Sequence, residues 1–441
     1  MHNSEFNNQL DHDILAAMKN PSKWYWVALA VCTLLVAMGG SLWLYMVTKG
    51  MGVAGINNPV GWGVFIVTFV FWVGIAHSGT LISAVLLLFR AKFRSRFNRT
   101  AEAMTIFAVM TAGLFPLIHM GRVWVGFYTM PYPSQRGIWP NFRSPLVWDV
   151  FAISTYLIIS IVFFYVGMIP DFAIVRQRAT GIRRWIYGIL SLGWRGTDKQ
   201  WKHYNQLCLL LAAFATPLVV SVHSIVSWDF AMGVIPGWHT TIFAHYFVAG
   251  AIFSGTAMVF TLVIPMRKIF RLEPYITLDH FESLAKLLII TSMIVTYAYI
   301  VEFLIALYGG NVFEKQVFLY RATGDYAWAY WTMVFCNSVV PLFLFFRKLR
   351  RSLVFLFIAS IFINIGMWFE RFVIIVTSLA RDFLPYAWGI YKPSFVELGI
   401  FVASFAWFFL LFLIFAKTLP VLAITEIKEV TASSKGEHSH A

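Results

Sequence analysis

Ten stretches of apolar residues, each long enough to cross a lipid bilayer as a helix, divide this chain from end to end. They run over 24–47, 61–89, 102–128, 147–169, 204–226, 241–266, 283–308, 327–346, 352–379 and 395–416. A hydrocarbon layer offers no water to backbone N–H and C=O groups, so each run has to satisfy its own as a helix. The predicted fold class is an all-α polytopic membrane protein with ten transmembrane helices. Of the 441 residues, 12% are charged, against about 25% in soluble domains. The first run starts near Trp24, behind a polar segment containing Asp11, His12 and Asp13. It is too long and too late for a cleaved signal, and reads as a retained helix.

Sidedness follows from the loops. Nineteen Lys and Arg residues fall between spans 2 and 3, 4 and 5, 6 and 7, and 8 and 9, against seven in the other loops. The first set is expected in the cytoplasm, together with both termini. Trp124, Tyr128, Tyr132, Trp139, Trp148, Trp228 and Trp238 crowd the outer ends, as an interfacial belt would. The net charge of +14 comes from these scattered loop residues and not from one patch, so nucleic acid is not an expected partner. The three cysteines, Cys32, Cys208 and Cys336, all lie in apolar runs with no CxxC or CxxCH. The sequence encodes no disulfide framework, metal site, iron–sulfur ligand set or c-type haem attachment. Any such cluster has to reside in a partner.

An internal repeat refines the map. AEAMTIF…GRVWVGFY (101–128) aligns with FESLAKL…VEFLIALY (281–308) at an offset of 180, pairing Glu102 with Glu282 and Arg122 with Glu302. Spans 2–5 and 6–9 are expected to form two four-helix bundles of like orientation. The organisation is then a cytoplasmic segment 1–23, a flanking helix in 24–60, a first bundle over 61–226 and a second over 241–379. A flanking helix at 395–416 and a cytoplasmic tail, 417–441, complete it. The polar residues from 425 on are expected to be disordered.

Span direction gives each ionisable residue a depth. His119, Arg122, Asp149, His223, Asp229, Glu302, Glu370, Arg371 and Glu397 gather toward the outer face, and the inner half is expected to be nearly free of such groups. Intramembrane charges are costly and mark sites or pathways. His77 lies near mid-span, followed by Ser78, Gly79 and Thr80, and is a candidate proton-relay residue together with Glu302, Glu370 and Arg371. A lipid-soluble hydroquinone fits this pattern, since its oxidation needs a base near each hydroxyl. His119 and Asp149 are the candidate catalytic pair, with Arg122, His223 and Asp229 as substrate-binding residues. A b-type cytochrome would need a histidine pair at the inner end too, where no span has one. A secondary transporter would place its polar cluster at the midplane. Glu370 and Arg371 are adjacent, so they point about 100° apart on a helix and are expected to need partners elsewhere, with Glu302 facing Arg371.

Several local patterns carry a resemblance: GMWFER at 366–371, HxxR at 119–122, WD at 148–149, KPSFVE at 392–397 and the N-terminal DHDILAAMKNPSKWY. Over 24–416 the chain resembles the NrfD/polysulfide-reductase membrane-subunit family, and within it the quinol-binding membrane subunit of bacterial alternative complex III. That resemblance implies a menaquinol-oxidising site, at which His119 and Asp149 match the family's quinol-contacting residues. It implies no haem or iron–sulfur cluster in this chain. Expected partners are a periplasmic iron–sulfur subunit, multihaem and monohaem cytochrome c subunits and a paralogous NrfD-like membrane subunit. The expected location is the bacterial cytoplasmic membrane. A paralogous sister subunit, or a polysulfide-reductase-like subunit working toward quinol, is the alternative.

Overall fold

The computed structural model describes residues 2–19, 22–129, 142–240 and 242–429. Tyr132, Arg136 and Trp139 lie outside these residues. Among the described residues, thirteen helices of ten residues or more organise the chain. α1 is His2–Lys19. The ten helices long and apolar enough to cross a membrane are α2 (Lys23–Lys49), α3 (Val64–Leu88), α4 (Asn98–His119), α5 (Pro145–Arg178), α7 (Asp198–Ala231), α8 (Phe243–Ile269), α9 (Leu278–Tyr308), α11 (Ala327–Phe345), α12 (Leu353–Ala380) and α13 (Phe395–Thr418). Two shorter helices, α6 (Gly181–Leu190) and α10 (Val312–Thr323), lie in connections.

α3 is the axis of the molecule. Every residue of Val64–Thr80 except Ile66 is buried, as expected for a helix that is apolar all round. It packs along α4 and α8, and also touches α7, α12 and α13. Small residues permit this crowding. A Cβ on Gly79 would stand 2.1 Å from Thr105 Oγ1 of α4, and one on Gly255 of α8 would stand 2.3 Å from Ser78 Oγ. α4, α5 and α7 pack in sequence beside α3; α9 and α12 pack against α8, and α11 packs against α9 and α12. α2 and α13 pair with each other. α3, α11 and α12 each contain one π-helical turn, at 81–85, 335–339 and 373–377.

The helix limits differ instructively from the apolar runs. α4 stops at His119, although the run continues to 128, because Gly121 takes a left-handed φ of +67°. α7 starts earlier and ends later than its run. A capping box between Thr197 and Gln200 fixes its start. It continues to Ala231, so Asp229 lies within its last turn and His223 eight residues below its end.

The basic loops, α1 and the segment after α13 gather at one end of the bundle. Two expectations are overturned there. Composition predicts a disordered tail from 425, but 424–429 is helical, with Ile424 and Ile427 fully buried. Residues 430–441 lie outside the described residues. The inner half is not free of charge either, because Arg99, Glu102 and Asp171 form a buried cluster. Arg99 Nη1 donates to Glu102 at 3.1 Å and Nη2 to Asp171 at 3.0 Å. Thr425 donates to Asp171 through both its N–H and its hydroxyl, and Glu426 accepts from Asn98 and pairs with Arg94. The start of the tail is ordered because these buried charges need it: an uncompensated buried ion costs several kcal/mol, on the order of 3–5 when one partner is lost.

Candidate functional sites

At the end opposite the basic loops, α4 closes with His119. Its ring is half-buried, and Nδ1 is buried without a hydrogen-bond partner. Arg122 follows the helix break with its side chain exposed. α5 packs against α4. It starts at Pro145, whose fixed φ suits a first helical position. This places Trp148 and Asp149 in the opening turns.

Asp149 meets Asp229. The Trp148 ring packs edge-on against Trp228 of α7 at 6.1 Å, and the next residue on each helix is the aspartate. The two carboxyls lie close enough to interact with each other. Each keeps one buried oxygen with no partner. Two buried carboxyls side by side disfavour ionising together, so the pair is suited to holding one proton, with two oxygens left without partners. The sequence contains the signal: Trp-Asp occurs at 148–149 and again at 228–229. Only the two dipeptides taken together point to the pair.

A second group lies deeper. His77 Nδ1 contacts Val73 O at 2.5 Å, and its ring stacks on Tyr156 at 5.0 Å with 9° between the planes. His223 packs against the other side at 4.6 Å. Both rings are buried. His77 Nε2 and both nitrogens of His223 have no hydrogen-bond partner. Gly74 makes room, since a Cβ there would lie 3.8 Å from His223 Cε1. The apolar run alone puts His223 at the outer end, but the length of α7 brings it down to His77. Tyr156 bonds Thr80 Oγ1 at 2.6 Å and Ala76 O at 3.0 Å.

The third group is in α9–α12. Glu370 and Arg371 are both buried and, contrary to expectation, pair with each other, because their long side chains bend across the 100° between them. Tyr299 donates to Glu370, and Asn337 donates to the Tyr299 hydroxyl at 2.8 Å. Arg371 lies over the Phe247 ring at 4.7 Å, and His223 packs on the same ring at 5.8 Å. Glu302 does not take Arg371. It shares a small cavity with Arg321 of α10. Arg321 donates to Gly237 O and Ser378 Oγ, both at 3.0 Å. Burial pulls the Arg321 guanidinium below its usual range, and Glu302 works against that shift. In the sequence Arg321 looks like an ordinary loop charge, since it lies outside every apolar run.

A cavity of about 850 Å³ lies elsewhere. It is largely apolar and is lined by α3, α8, α11, α12 and α13, with Lys392 and Asp325 among its polar residues. Among the described residues, no three His, Cys, Asp or Glu side chains are grouped to hold a metal.

Ten membrane-length helices with titratable side chains buried among them define a polytopic membrane protein. Its sequence places it more narrowly: residues 52–381 match the family described as Polysulphide reductase, NrfD, and the chain belongs to that family. It is 27% identical over 368 residues to a putative dimethyl sulfoxide reductase membrane subunit of Halobacterium salinarum, covering 82% of this chain and 79% of that one. It is 23% identical to a selenate reductase subunit of Mesobacillus selenatarsenatis over 88% of this chain and 92% of that one. With the Hdr-like menaquinol oxidoreductase integral membrane subunit of Archaeoglobus fulgidus it shares 20% identity over 92% and 96% of the two chains.

Proposed function

We propose that this protein is the membrane subunit of a complex that oxidises quinol, with the basic end in the cytoplasm and the Asp149–Asp229 end outside. The observation carrying the reading is that carboxyl pair, whose unpartnered oxygens lie on α5 and α7 at the same end as the unpartnered His119 nitrogen of α4. Oxidising one hydroquinone releases two protons and two electrons. His119 takes one hydroxyl proton at Nδ1, and the carboxyl pair accepts the other at a free oxygen. Arg122 follows His119 by three residues, and His223 lies six residues below Asp229 on α7. The electrons leave to an iron–sulfur protein docked on the outer face. From there they reach c-type cytochromes, in an assembly of the alternative complex III kind with a paralogous membrane subunit beside this one. Menaquinol is the proposed donor, supported by the menaquinol oxidoreductase named among the relatives. The bacterial cytoplasmic membrane is the proposed location, supported by the concentration of basic loops at one end.

The test uses the assembled complex. His119→Ala and Asp149→Asn are each expected to lower quinol-dependent reduction of the acceptor by about 10²–10⁴-fold, the usual span of a lost general base. Wild-type rates in both variants would sink the assignment. A Soret band from the purified chain alone would favour a cytochrome instead.

A further inference from the structure

The corner where α5 turns through α6 into α7 holds positive charge that the fold leaves unmatched. Residues 176–205 carry seven Lys and Arg against one acid, Asp198. Arg178 pairs with Asp11 of α1. Arg176 donates to Ser191 Oγ at 3.0 Å and to Trp194 O at 3.1 Å, both neutral acceptors. Arg195, Lys199 and Lys202 form no ion pair among the described residues. α6 sets this corner at the membrane surface. Ile182, Trp185, Ile186 and Ile189 recur at helical spacing and are all exposed, as is Leu192. The opposite side of α6 is pinned. Tyr187 donates to Thr418 O at the end of α13 at 2.6 Å, and Leu190 O accepts from Tyr165 of α5 at 2.9 Å. A short helix with an outward apolar stripe and basic neighbours, held at the ends of two spans, lies in the lipid headgroup layer.

Beside α6 is a cleft of about 640 Å³, lined by Arg176, Trp194, Arg195, Trp201, Asn205 and Lys428. Glu429 is its one carboxylate. Gly196 makes the turn there with a φ of +73°, and a Cβ on it would stand 3.8 Å from Trp201 Nε1 and 3.9 Å from Trp194 Nε1. The two indole N–H groups therefore converge on one point, and neither donates to an acceptor among the described residues. Trp201, Asn205 and Leu209 follow one another at i+4 spacing, on one face of α7. Leu209 is exposed. The cleft thus opens upward onto the hydrocarbon-facing side of α7.

We propose that this cleft binds an anionic phospholipid of the leaflet at the basic end. Arg195 and the two indole N–H groups take the phosphate oxygens, Arg176 adds its unmatched charge, and an acyl chain rises past Leu209. Unpaired cations between membrane helices suit an anionic headgroup. A zwitterionic lipid offers the same phosphate together with a cation of its own, which the guanidinium groups of the cleft repel, so headgroup charge decides which lipid stays. From the proposed function the inference takes only its sidedness, which makes the leaflet the cytoplasmic one.

The test delipidates the whole complex in detergent and titrates it with phosphatidylglycerol or with phosphatidylcholine of the same acyl chains. Retained lipid is counted by native mass spectrometry. At least one phosphatidylglycerol is expected to stay bound, with at least a tenfold preference over phosphatidylcholine. Arg195 is exposed and its side chain makes no bond in the fold, so Arg195→Gln leaves the structure alone. Trp201→Phe keeps a ring against Trp194 and Tyr204 but removes the N–H. Each variant is expected to lower retention of that lipid at least fivefold, while Lys348→Gln, in another basic loop, leaves it unchanged. Equal retention of the two lipids, wild-type retention in both cleft variants, or an equal loss in Lys348→Gln overturns the site. Displacement of the lipid by glycerol 3-phosphate at the same concentration makes this a site for soluble phosphates and overturns the lipid assignment. None of these readings involves quinol, so failure of the redox reading leaves them standing.

Discussion

At the scale of single residues, two of the interior carboxylates come with a titratable or charged neighbour. Glu370 has Arg371 and Tyr299, and Asp149 has Asp229. Glu370→Gln retains a bond to Tyr299 but leaves Arg371 buried without a counter-charge. Removing one partner of a buried pair costs roughly 3–5 kcal/mol, so a marked fall in the melting midpoint in detergent is expected. Adding Arg371→Met should recover more than half of it, because an apolar replacement of the whole pair is often tolerated. Asp149→Asn and Asp229→Asn should not be additive, since each dismantles the same carboxyl pair. The double variant should turn over no more than about threefold slower than the worse single one, as coupled neighbours do. Multiplied effects in the quinol assay would mean two independent sites. That Glu370 and Arg371 are interior is legible in the sequence, because they interrupt an apolar run. Their partners are not, since helix periodicity gives direction but not the reach of a long side chain.

At the scale of elements, the ten helices are legible because bilayer thickness sets a length that apolar runs display openly. Their ends are less so. Gly121 ends α4 early through a left-handed φ, and a capping box starts α7 before its apolar part. Both depend on one or two residues that a hydropathy window averages away. Packing turns on equally local choices. Gly79→Ala puts a methyl 2.1 Å from Thr105 Oγ1 and 2.2 Å from Ala101 O, so α3 and α4 must part. Overpacking of this kind typically costs about 1–3 kcal/mol. A lower melting midpoint is expected. Gly40→Ala, with nothing within 4 Å, should leave it unchanged.

At the scale of the whole molecule, the Arg99–Glu102–Asp171 cluster is hidden in the sequence, because Arg99 counts there as a loop charge and the tail shows only a polar composition. The structure ties α4, α5 and the residues after α13 through Asn98, Asp171, Thr425 and Glu426. Lys428 and Arg178 both pair with Asp11 of α1. A stop codon after Leu422 should lower the melting midpoint, measured on the detergent-solubilised chain. Thr425 and Glu426 follow all ten membrane helices in chain order. During synthesis Asp171 and Arg94 therefore wait, incompletely matched, until the last helix has left the ribosome. The fold is fastened by a late clasp, so quality control that senses exposed acidic or basic groups at the membrane can tell an unfinished copy from a finished one.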